Sequence, residues 1–227
     1  GRVMADGKAL KIIIAGEGGQ GVQSIGELLA EAAFQAGKQA LYIPNFGVEQ
    51  RGGVSVAYVQ ISDEEIGAPK FLKADLLTVL SKRSAERTKG YLKPGTIYLY
   101  EESALEAPVI DDRAVGIQGY ETVAPEAFAK MVGDKAGKPA TPPAAPALRP
   151  IGIRAAQTAK AELTPRVFNI IVLGAITKMI KVLPPAGVKE AIAKKFRAKF
   201  RENPELEELN FQAFAKGLTM IEAEGMQ

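Results

Sequence analysis

The sequence predicts one α/β domain, built on an open and mainly parallel sheet with helices on both faces and a C-terminal helical segment. In the first half, short apolar runs alternate with stretches whose apolar residues recur every three or four positions. From about residue 165 onward, only helical patterns remain. We therefore divide the single domain, residues 1–227, into an α/β core over 10–132, a Pro- and Ala-rich insertion over 133–160 and C-terminal helices over 161–227.

The chain opens with the pattern of a βαβ unit. Leu10–Gly16 is a continuous apolar run that predicts a buried strand. A glycine-rich turn and an amphipathic helix follow, and Gly37 is placed to end that helix. Its apolar stripe comprises Val22, Ile25, Leu29, Ala32, Ala33 and Ala36. Gln39–Ile43 predicts the second strand, broken by Pro44, and we expect a right-handed crossover between the two strands.

The rest of the core continues the alternation of strands and helices. The predicted strands are Val54–Ser62, Ala74–Leu80, Thr96–Tyr100 and, more weakly, Val115–Tyr120. The predicted helices of this region are Ser84–Tyr91 and Ala124–Val132. This order favours a sheet whose strands are mostly connected through helices and hence mostly parallel.

Residues 133–160 interrupt this pattern, because five prolines are dispersed among Ala, Gly and Lys. Such a composition predicts a long loop, either an arm that lies on a partner subunit or a surface insertion. Three helices follow, over Pro165–Lys181, Val188–Phe200 and Glu205–Ala223. The first is apolar on nearly all sides and is therefore expected to be buried, in part by another chain.

The composition narrows the possible chemistry. The 227 residues contain no Cys and no His, so the commonest general base and the thiolate and imidazole metal ligands are absent. We therefore expect no catalytic residue and no metal site in this chain. The net charge of +3 is too small to indicate nucleic-acid binding. No apolar run is long enough to span a bilayer, and we expect a cytoplasmic protein.

The turn Gly16-x-Gly18-x-x-Gly21 matches a dinucleotide-binding fingerprint in its local context. Glycines there let a phosphate approach the backbone at the start of a helix. The fingerprint also requires an acidic residue at the end of the second strand, where this chain has Asn45. Three interpretations stay open: an NAD(P)-binding dehydrogenase domain, a turn that receives another phosphate or a partner's backbone, and glycines needed only for packing.

Several blocks of sequence, in order, resemble the gamma subunit of 2-oxoacid:acceptor oxidoreductases. The first runs from Gly16 to Val22, and the second is Pro44-Asn45-Phe46-Gly47-Val48-Glu49-Gln50-Arg51-Gly52-Gly53. Ile61-Ser62-Asp63 and Ala74-Asp75-Leu76-Leu77 continue the resemblance, and Asn169-Ile170-Ile171-Val172-Leu173-Gly174-Ala175 is similar to a late helix of the family. The resemblance covers nearly the whole chain except 135–163.

The resemblance implies a Rossmann-like subunit that is not catalytic alone. Such complexes, acting on pyruvate, 2-oxoglutarate, ketoisovalerate, indolepyruvate or phenylglyoxylate, decarboxylate a 2-oxoacid on thiamine diphosphate with Mg²⁺. They pass electrons through 4Fe–4S clusters to ferredoxin or an NAD-reducing subunit, and pass the acyl group to coenzyme A. Thiamine diphosphate and the clusters belong to the alpha, beta and delta parts, which would be the partners of this chain.

Two groups of residues follow as site candidates. Gly18, Gly19, Gln20, Gly21 and Arg51 are candidates for contact with coenzyme A or a partner subunit. Glu49, Gly52, Gly53 and Asn169 are candidates for a subunit interface. For each, a purely structural role is the competing interpretation: a Glu49–Arg51 pair, a plain turn, or a satisfied buried amide. The basic run from Lys194 to Arg201 is interpreted as the solvated side of a helix, with docking of an acidic carrier as the alternative.

Overall fold

The computed structural model describes residues 8–46, 53–105 and 148–224. In these ranges six strands form one sheet in the order β2-β3-β1-β4-β5-β6. The strands are β1 (Leu10–Glu17), β2 (Gln39–Phe46), β3 (Val54–Ser62), β4 (Leu76–Val79), β5 (Ile97–Glu101) and β6 (Arg149–Ile153). The predicted α/β sheet is therefore present, and the predicted positions of β1, β3, β4 and β5 agree with the structure to within two residues.

One strand departs from the parallel arrangement. β3 pairs antiparallel with both β1 and β2, whereas β1, β4, β5 and β6 pair parallel with one another. β3 thus lies between the two strands of the predicted βαβ unit, which do not pair directly. The sequence shows two strands and a helix, but only tertiary pairing determines that the third strand enters between them.

β2 runs through Pro44 and ends at Phe46, so the prediction that proline breaks this strand is wrong. The reason is the position of β2 at the edge of the sheet, where, among the described strands, it pairs only with β3. Proline lacks an N–H, and an edge strand can point that position away from its single neighbour without losing a hydrogen bond of the ladder.

The prediction for residues 133–160 is wrong in its last part. Arg149–Ile153 forms β6, which pairs with β5, and the helix α3 (Ala155–Glu162) follows at once. Pro150 is tolerated because β6 is the other edge of the sheet. Residues 133–147, together with the predicted strand Val115–Tyr120 and helix Ala124–Val132, lie outside the described residues.

The helices lie on both faces of the sheet, but unequally. α2 (Lys82–Thr88), begun by a capping box between Ser81 and Ser84, packs on one face. The other face carries α1 (Val22–Gln35), α3, α4 (Phe168–Ile180), α5 (Pro185–Lys195), α6 (Arg197–Glu202) and α7 (Pro204–Glu224). Short 3-10 turns precede α4 and follow α2. The helix predicted over Val188–Phe200 is thus two helices.

α4 forms the centre of the C-terminal helical segment, and residues 170–177 of this helix are all buried. It crosses α7 at two glycines, Gly174 and Gly217. A Cβ atom on Gly217 would lie 2.0 Å from the carbonyl oxygen of Ile171, and one on Gly174 would lie 2.3 Å from that of Phe214. The two backbones therefore approach closely because neither residue has a side chain at the crossing.

The basic run near residue 195 lies mostly on the surface. Lys194 pairs with Glu31 at 2.7 Å and Lys195 pairs with Glu27, both across to α1, while Phe200 is buried. The Lys194 ammonium, as a hydrogen-bond donor, lowers the pKa of Glu31. Among the helices in the described ranges, none has the length and apolar character needed to cross a bilayer.

Candidate functional site

The main candidate site is a cavity of about 390 Å³ at the carboxyl edge of the parallel strands. In open α/β sheets, ligands and partners are usually received at this edge, outside the ends of the strands. The glycine turn after β1 and the end of β4 form one side of the cavity, and β5, α3 and the start of α4 form the rest. Its lining comprises Gly19, Gln20, Gly21, Leu80, Glu101, Ser103, Ala104, Ala156, Ala159, Pro165, Arg166, Phe168 and Asn169.

The glycine turn has two residues with positive φ, Gly19 at 90° and Gly21 at 73°. Gly21 precedes the first residue of α1 and has no side chain with which to cap the helix. Gly18 and Gly19 are exposed, and a Cβ on Gly19 would meet nothing within 4 Å. The turn therefore presents bare backbone at the mouth of the cavity, as the phosphate and partner-backbone interpretations both require.

Gln20 holds this turn in place from the inside. Its Oε1 accepts a hydrogen bond from the backbone N–H of Glu17 at 2.7 Å, and its Nε2 donates to the carbonyl oxygen of Leu80 at 3.1 Å. Both ends of the amide thus bind the protein's own backbone. This geometry favours the structural interpretation of Gln20 over its predicted role as a donor to a ligand.

Asn169 reaches the turn from the opposite end of the chain. It is the second residue of α4, and a Cβ on Gly21 would lie 2.4 Å from its Nδ2 atom. Its side chain is partly exposed, lines the cavity and has no hydrogen-bond partner within the described ranges. Asn169 is therefore not fully buried, and both the structural interpretation and the predicted interface contact stay predictions.

Glu101, at the end of β5, is a cavity residue that the sequence analysis missed. It is only 1% exposed, and its carboxylate accepts hydrogen bonds from Ser103 Oγ at 2.8 Å and from the backbone of Ala155 at 3.0 Å and Ala156 at 3.3 Å. Burial raises the pKa of this carboxyl, and the hydrogen bonds from Ser103, Ala156 and Ala155 oppose the rise. Its position at the carboxyl end of a buried strand was the available signal.

Arg166 and Phe168 are two further cavity residues that were not predicted as site residues. Both follow Pro165, which begins the 3-10 turn that leads into α4. Arg166 is exposed and has no hydrogen-bond or ion-pair partner in the part of the chain that is described. A guanidinium group with free donors suits a carboxylate or phosphate, but nothing in the local sequence distinguishes Arg166 from a surface arginine.

The second glycine block lies at the same edge of the sheet. Val54 pairs with Glu17, so Gly53 lies beside the residue that begins the glycine turn. The two glycine blocks are thereby brought together, although β2 lies between them in sequence. Glu49, Arg51 and Gly52 lie outside the described residues, and their predicted contacts stay predictions.

The strand order argues against the NAD(P) interpretation. In a dinucleotide-binding unit, the second strand lies beside the first, and an acidic residue at its end binds the ribose. Here β3 separates them, which moves the end of β2 about 10 Å from β1, or two strand spacings. The residue at that end is Asn45, so both the position and the charge expected for ribose binding are missing.

The described ranges contain no group of side chains that could bind a metal ion. Within them, no three acidic side chains come together in a way that could hold a metal ion, and the sequence contains neither Cys nor His. Thiolate-bound iron–sulfur clusters therefore do not fit these residues.

Comparison with known proteins agrees with this geometry. The family model described as pyruvate ferredoxin/flavodoxin oxidoreductase matches residues 11–220. The 2-oxoglutarate synthase subunit KorC of Methanothermobacter marburgensis is 30% identical over 216 residues, which are 93% of this chain and 96% of that protein. In ketoisovalerate oxidoreductase subunit VorA of the same organism, the match is 36% identical over 115 residues, 50% of this chain but only 24% of that longer protein.

Two solved structures share the fold. A keto/oxoacid ferredoxin oxidoreductase gamma subunit from Geobacter sulfurreducens superposes with a TM-score of 0.67 at 23% identity, covering 95% of this chain and 98% of that one. A 2-oxoglutarate:ferredoxin oxidoreductase chain from Magnetococcus marinus superposes with a TM-score of 0.70 at 25% identity, covering 95% of this chain and 31% of that chain. The resemblance seen in the sequence is confirmed, and this chain belongs to the pyruvate ferredoxin/flavodoxin oxidoreductase family.

Proposed function

We propose that this chain is the gamma-type subunit of a multi-subunit oxidoreductase that oxidatively decarboxylates a 2-oxoacid to an acyl-CoA. Its own contribution is a rigid contact surface at the carboxyl edge of the sheet. The observation that carries the proposal is the contact between Asn169 and Gly21, because it joins the first and last blocks of the family resemblance at one cavity.

Relatives support the assignment. KorC is named as a subunit of 2-oxoglutarate synthase and matches this chain along nearly its whole length. The Magnetococcus enzyme, which binds 2-oxoglutarate, coenzyme A and succinyl-CoA, contains this fold as about a third of one chain. A fold that occurs both as a separate subunit and as part of a larger chain is what a packing partner of a catalytic assembly would show.

Most cofactors of such a complex are proposed to be bound by the partner subunits and not by this chain. The proposed holders of thiamine diphosphate, Mg²⁺ and the iron–sulfur clusters are alpha, beta and delta-type subunits. For the clusters, the support is that this sequence contains no Cys to bind iron. The same subunits, with ferredoxin or an NAD-reducing subunit as electron acceptor, are the proposed partners. In this division, the gamma chain shapes and covers the assembly and supplies no acid, base or nucleophile.

Coenzyme A is the cofactor proposed for the cavity. The bare backbone of Gly18, Gly19 and Gly21, with the side chain of Arg166, offers donors to its phosphates, and Arg51 would extend this set. Gln20 would contribute by holding the turn. Coenzyme A, when bound, supplies the thiol that accepts the acyl group. Glu49, Gly52, Gly53 and Asn169 are proposed to contact the partner subunits.

Purification of the tagged chain from its native host, followed by mass spectrometry, tests the assembly. We expect partner chains with thiamine-diphosphate and cysteine-rich cluster domains, and 2-oxoacid oxidation that depends on coenzyme A and disappears when the gamma chain is removed. Turnover by the gamma chain alone, or recovery of the chain without any such partner, would contradict the proposal.

The coenzyme A contact is tested separately in the purified complex. The variant Arg166→Ala is expected to raise KM for coenzyme A while leaving KM for the 2-oxoacid unchanged. Lys189→Ala, a basic surface residue that lies over Phe211 and outside the cavity, is the control. An effect of Arg166→Ala no larger than that of Lys189→Ala would contradict the coenzyme A contact.

A further inference from the structure

We infer that Gln23 is a positioning residue, which fixes the glycine turn, the start of β3 and the neighbouring strand β2 as one rigid contact surface. Gln23 is the second residue of α1, directly after the turn. The resemblance to the family and the cavity lining do not include it. The inference rests on the proposed function only in taking this edge of the sheet as the contact surface.

Three hydrogen bonds converge on the Gln23 amide. Its Nε2 donates to Ser55 Oγ at 2.8 Å and to the carbonyl oxygen of Val56 at 3.1 Å. Its Oε1 accepts from the Tyr42 hydroxyl at 2.5 Å. One side chain therefore binds α1 to β3 through two bonds and to the edge strand β2 through a third.

The position of these bonds gives them a functional meaning. Ser55 pairs with Gly16 on β1, and Val56 pairs with Asn45 on β2, so the two bonds to β3 lie in the last rungs of the sheet at the carboxyl edge. The third bond joins Gln23 to Tyr42, in the middle of β2. Among the described strands, β2 pairs with β3 alone. The Gln23–Tyr42 hydrogen bond adds a second link, from β2 to the start of α1.

The packing beneath the amide is specific as well. The Tyr42 ring lies against Gly26, where an added Cβ would meet Cε2 of the ring at 2.8 Å. The tyrosine can approach α1 closely enough to reach Gln23 only because residue 26 has no side chain. Burial, the main cause, and the charge of Glu27 raise the pKa of Tyr42, so its hydroxyl stays a donor at neutral pH.

A matched control separates positioning from simple stabilisation. Gln60 is also a glutamine whose side-chain amide is hydrogen-bonded to the backbone. It lies in the sheet, is 3% exposed, and its Nε2 donates to the carbonyl oxygen of Ala68 at 2.8 Å. Gln60 pairs with Lys11 near the start of β1, at the end of the sheet opposite the carboxyl edge. Gln60→Ala should lower the melting temperature of the full chain without weakening its binding to partner subunits.

The test measures melting temperature and partner affinity for full-length Gln23→Ala, Tyr42→Phe, Gln60→Ala and Asn169→Ala. Affinity is the Kd for the purified remainder of the complex, obtained by biolayer interferometry. We expect Gln23→Ala to raise this Kd by about tenfold, the equivalent of one well-made interaction lost. Tyr42→Phe, which removes one bond and keeps the ring, should raise it by a smaller factor at nearly unchanged melting temperature.

The outcomes are distinguishable. If Gln23→Ala raises the Kd no more than Gln60→Ala does at a similar loss of melting temperature, Gln23 is only structural and the inference is overturned. If Asn169→Ala leaves the Kd unchanged, the contact proposed for Asn169 is wrong, whatever Gln23 does. If the Gln23→Ala chain is too unstable for the Kd to be measured, Tyr42→Phe becomes the deciding variant. An unchanged Kd for Tyr42→Phe would then overturn the inference.

Discussion

Asn169 lies directly against Gly21, so that a Cβ atom on Gly21 would come within 2.4 Å of the Asn169 amide nitrogen. The first helix of the sheet domain and the central helix of the C-terminal segment therefore meet at the glycine turn. Gly21 is needed for two independent reasons, its φ of 73° and the lack of space for a side chain.

Gly21→Ala is expected to destabilise the chain by about 2–4 kcal/mol, because backbone strain in the left-handed region adds to overpacking against Asn169. Gly37→Ala is the matched control. It has nearly the same φ of 77°, but a Cβ there would meet nothing within 4 Å, so we expect about 1 kcal/mol. Chemical denaturation measures both, and equal losses would show that the Asn169 contact yields without cost.

The crossing of α4 and α7 gives a second prediction. Gly217→Ala should lower the free energy of unfolding by about 3 kcal/mol or more, because the obstructing atom is a backbone oxygen that cannot move aside. Gly187→Ala, on α5, has its nearest atom at 3.6 Å and should instead stabilise by about 0.5–1 kcal/mol through helix propensity. Changes of opposite sign in the free energy of unfolding for these two substitutions would support the close crossing. A loss of less than about 1 kcal/mol for Gly217→Ala would contradict it.

Glu101 predicts a dependence of stability on pH. Because burial raises its pKa above 4.5, the folded chain binds a proton more tightly than the unfolded chain. The contribution of this group to stability is therefore present at low pH and is lost as pH rises through the folded pKa. Urea denaturation from pH 4 to pH 8 should show this decline in the wild type and not in Glu101→Gln. Glu102→Gln, the adjacent carboxylate, should leave the decline in place.

The strand order predicts weak or absent dinucleotide binding. Isothermal titration of the full chain with NAD(H) should give no micromolar binding, because the end of β2 lies two strands from the glycine turn and carries no carboxylate. A known NAD-dependent dehydrogenase under the same conditions serves as the positive control. Micromolar affinity for this chain would restore the dehydrogenase interpretation and weaken the subunit assignment.

Some features of the site were predictable from local sequence alone. Gly37 ends α1 and Gly21 begins it, each with positive φ, because only neighbours along the chain decide where a helix starts and stops. The apolar run before the glycine turn required a buried strand for the same reason. Composition, too, needed no coordinates: a chain of 227 residues without Cys or His cannot supply thiolate or imidazole ligands.

Tertiary structure decided what local patterns leave undetermined. Strand pairing placed β3 between β1 and β2 and extended β2 through Pro44 at the edge of the sheet. It also made Arg149–Ile153 the sixth strand, although the prolines in and before this segment had predicted a loop. Burial of Glu101 and the meeting of Asn169 with Gly21 depend on residues distant in sequence. Hydrophobic periodicity and turn preferences act over a few residues, whereas the order of strands and the contacts of a cavity depend on which distant surfaces exclude water together.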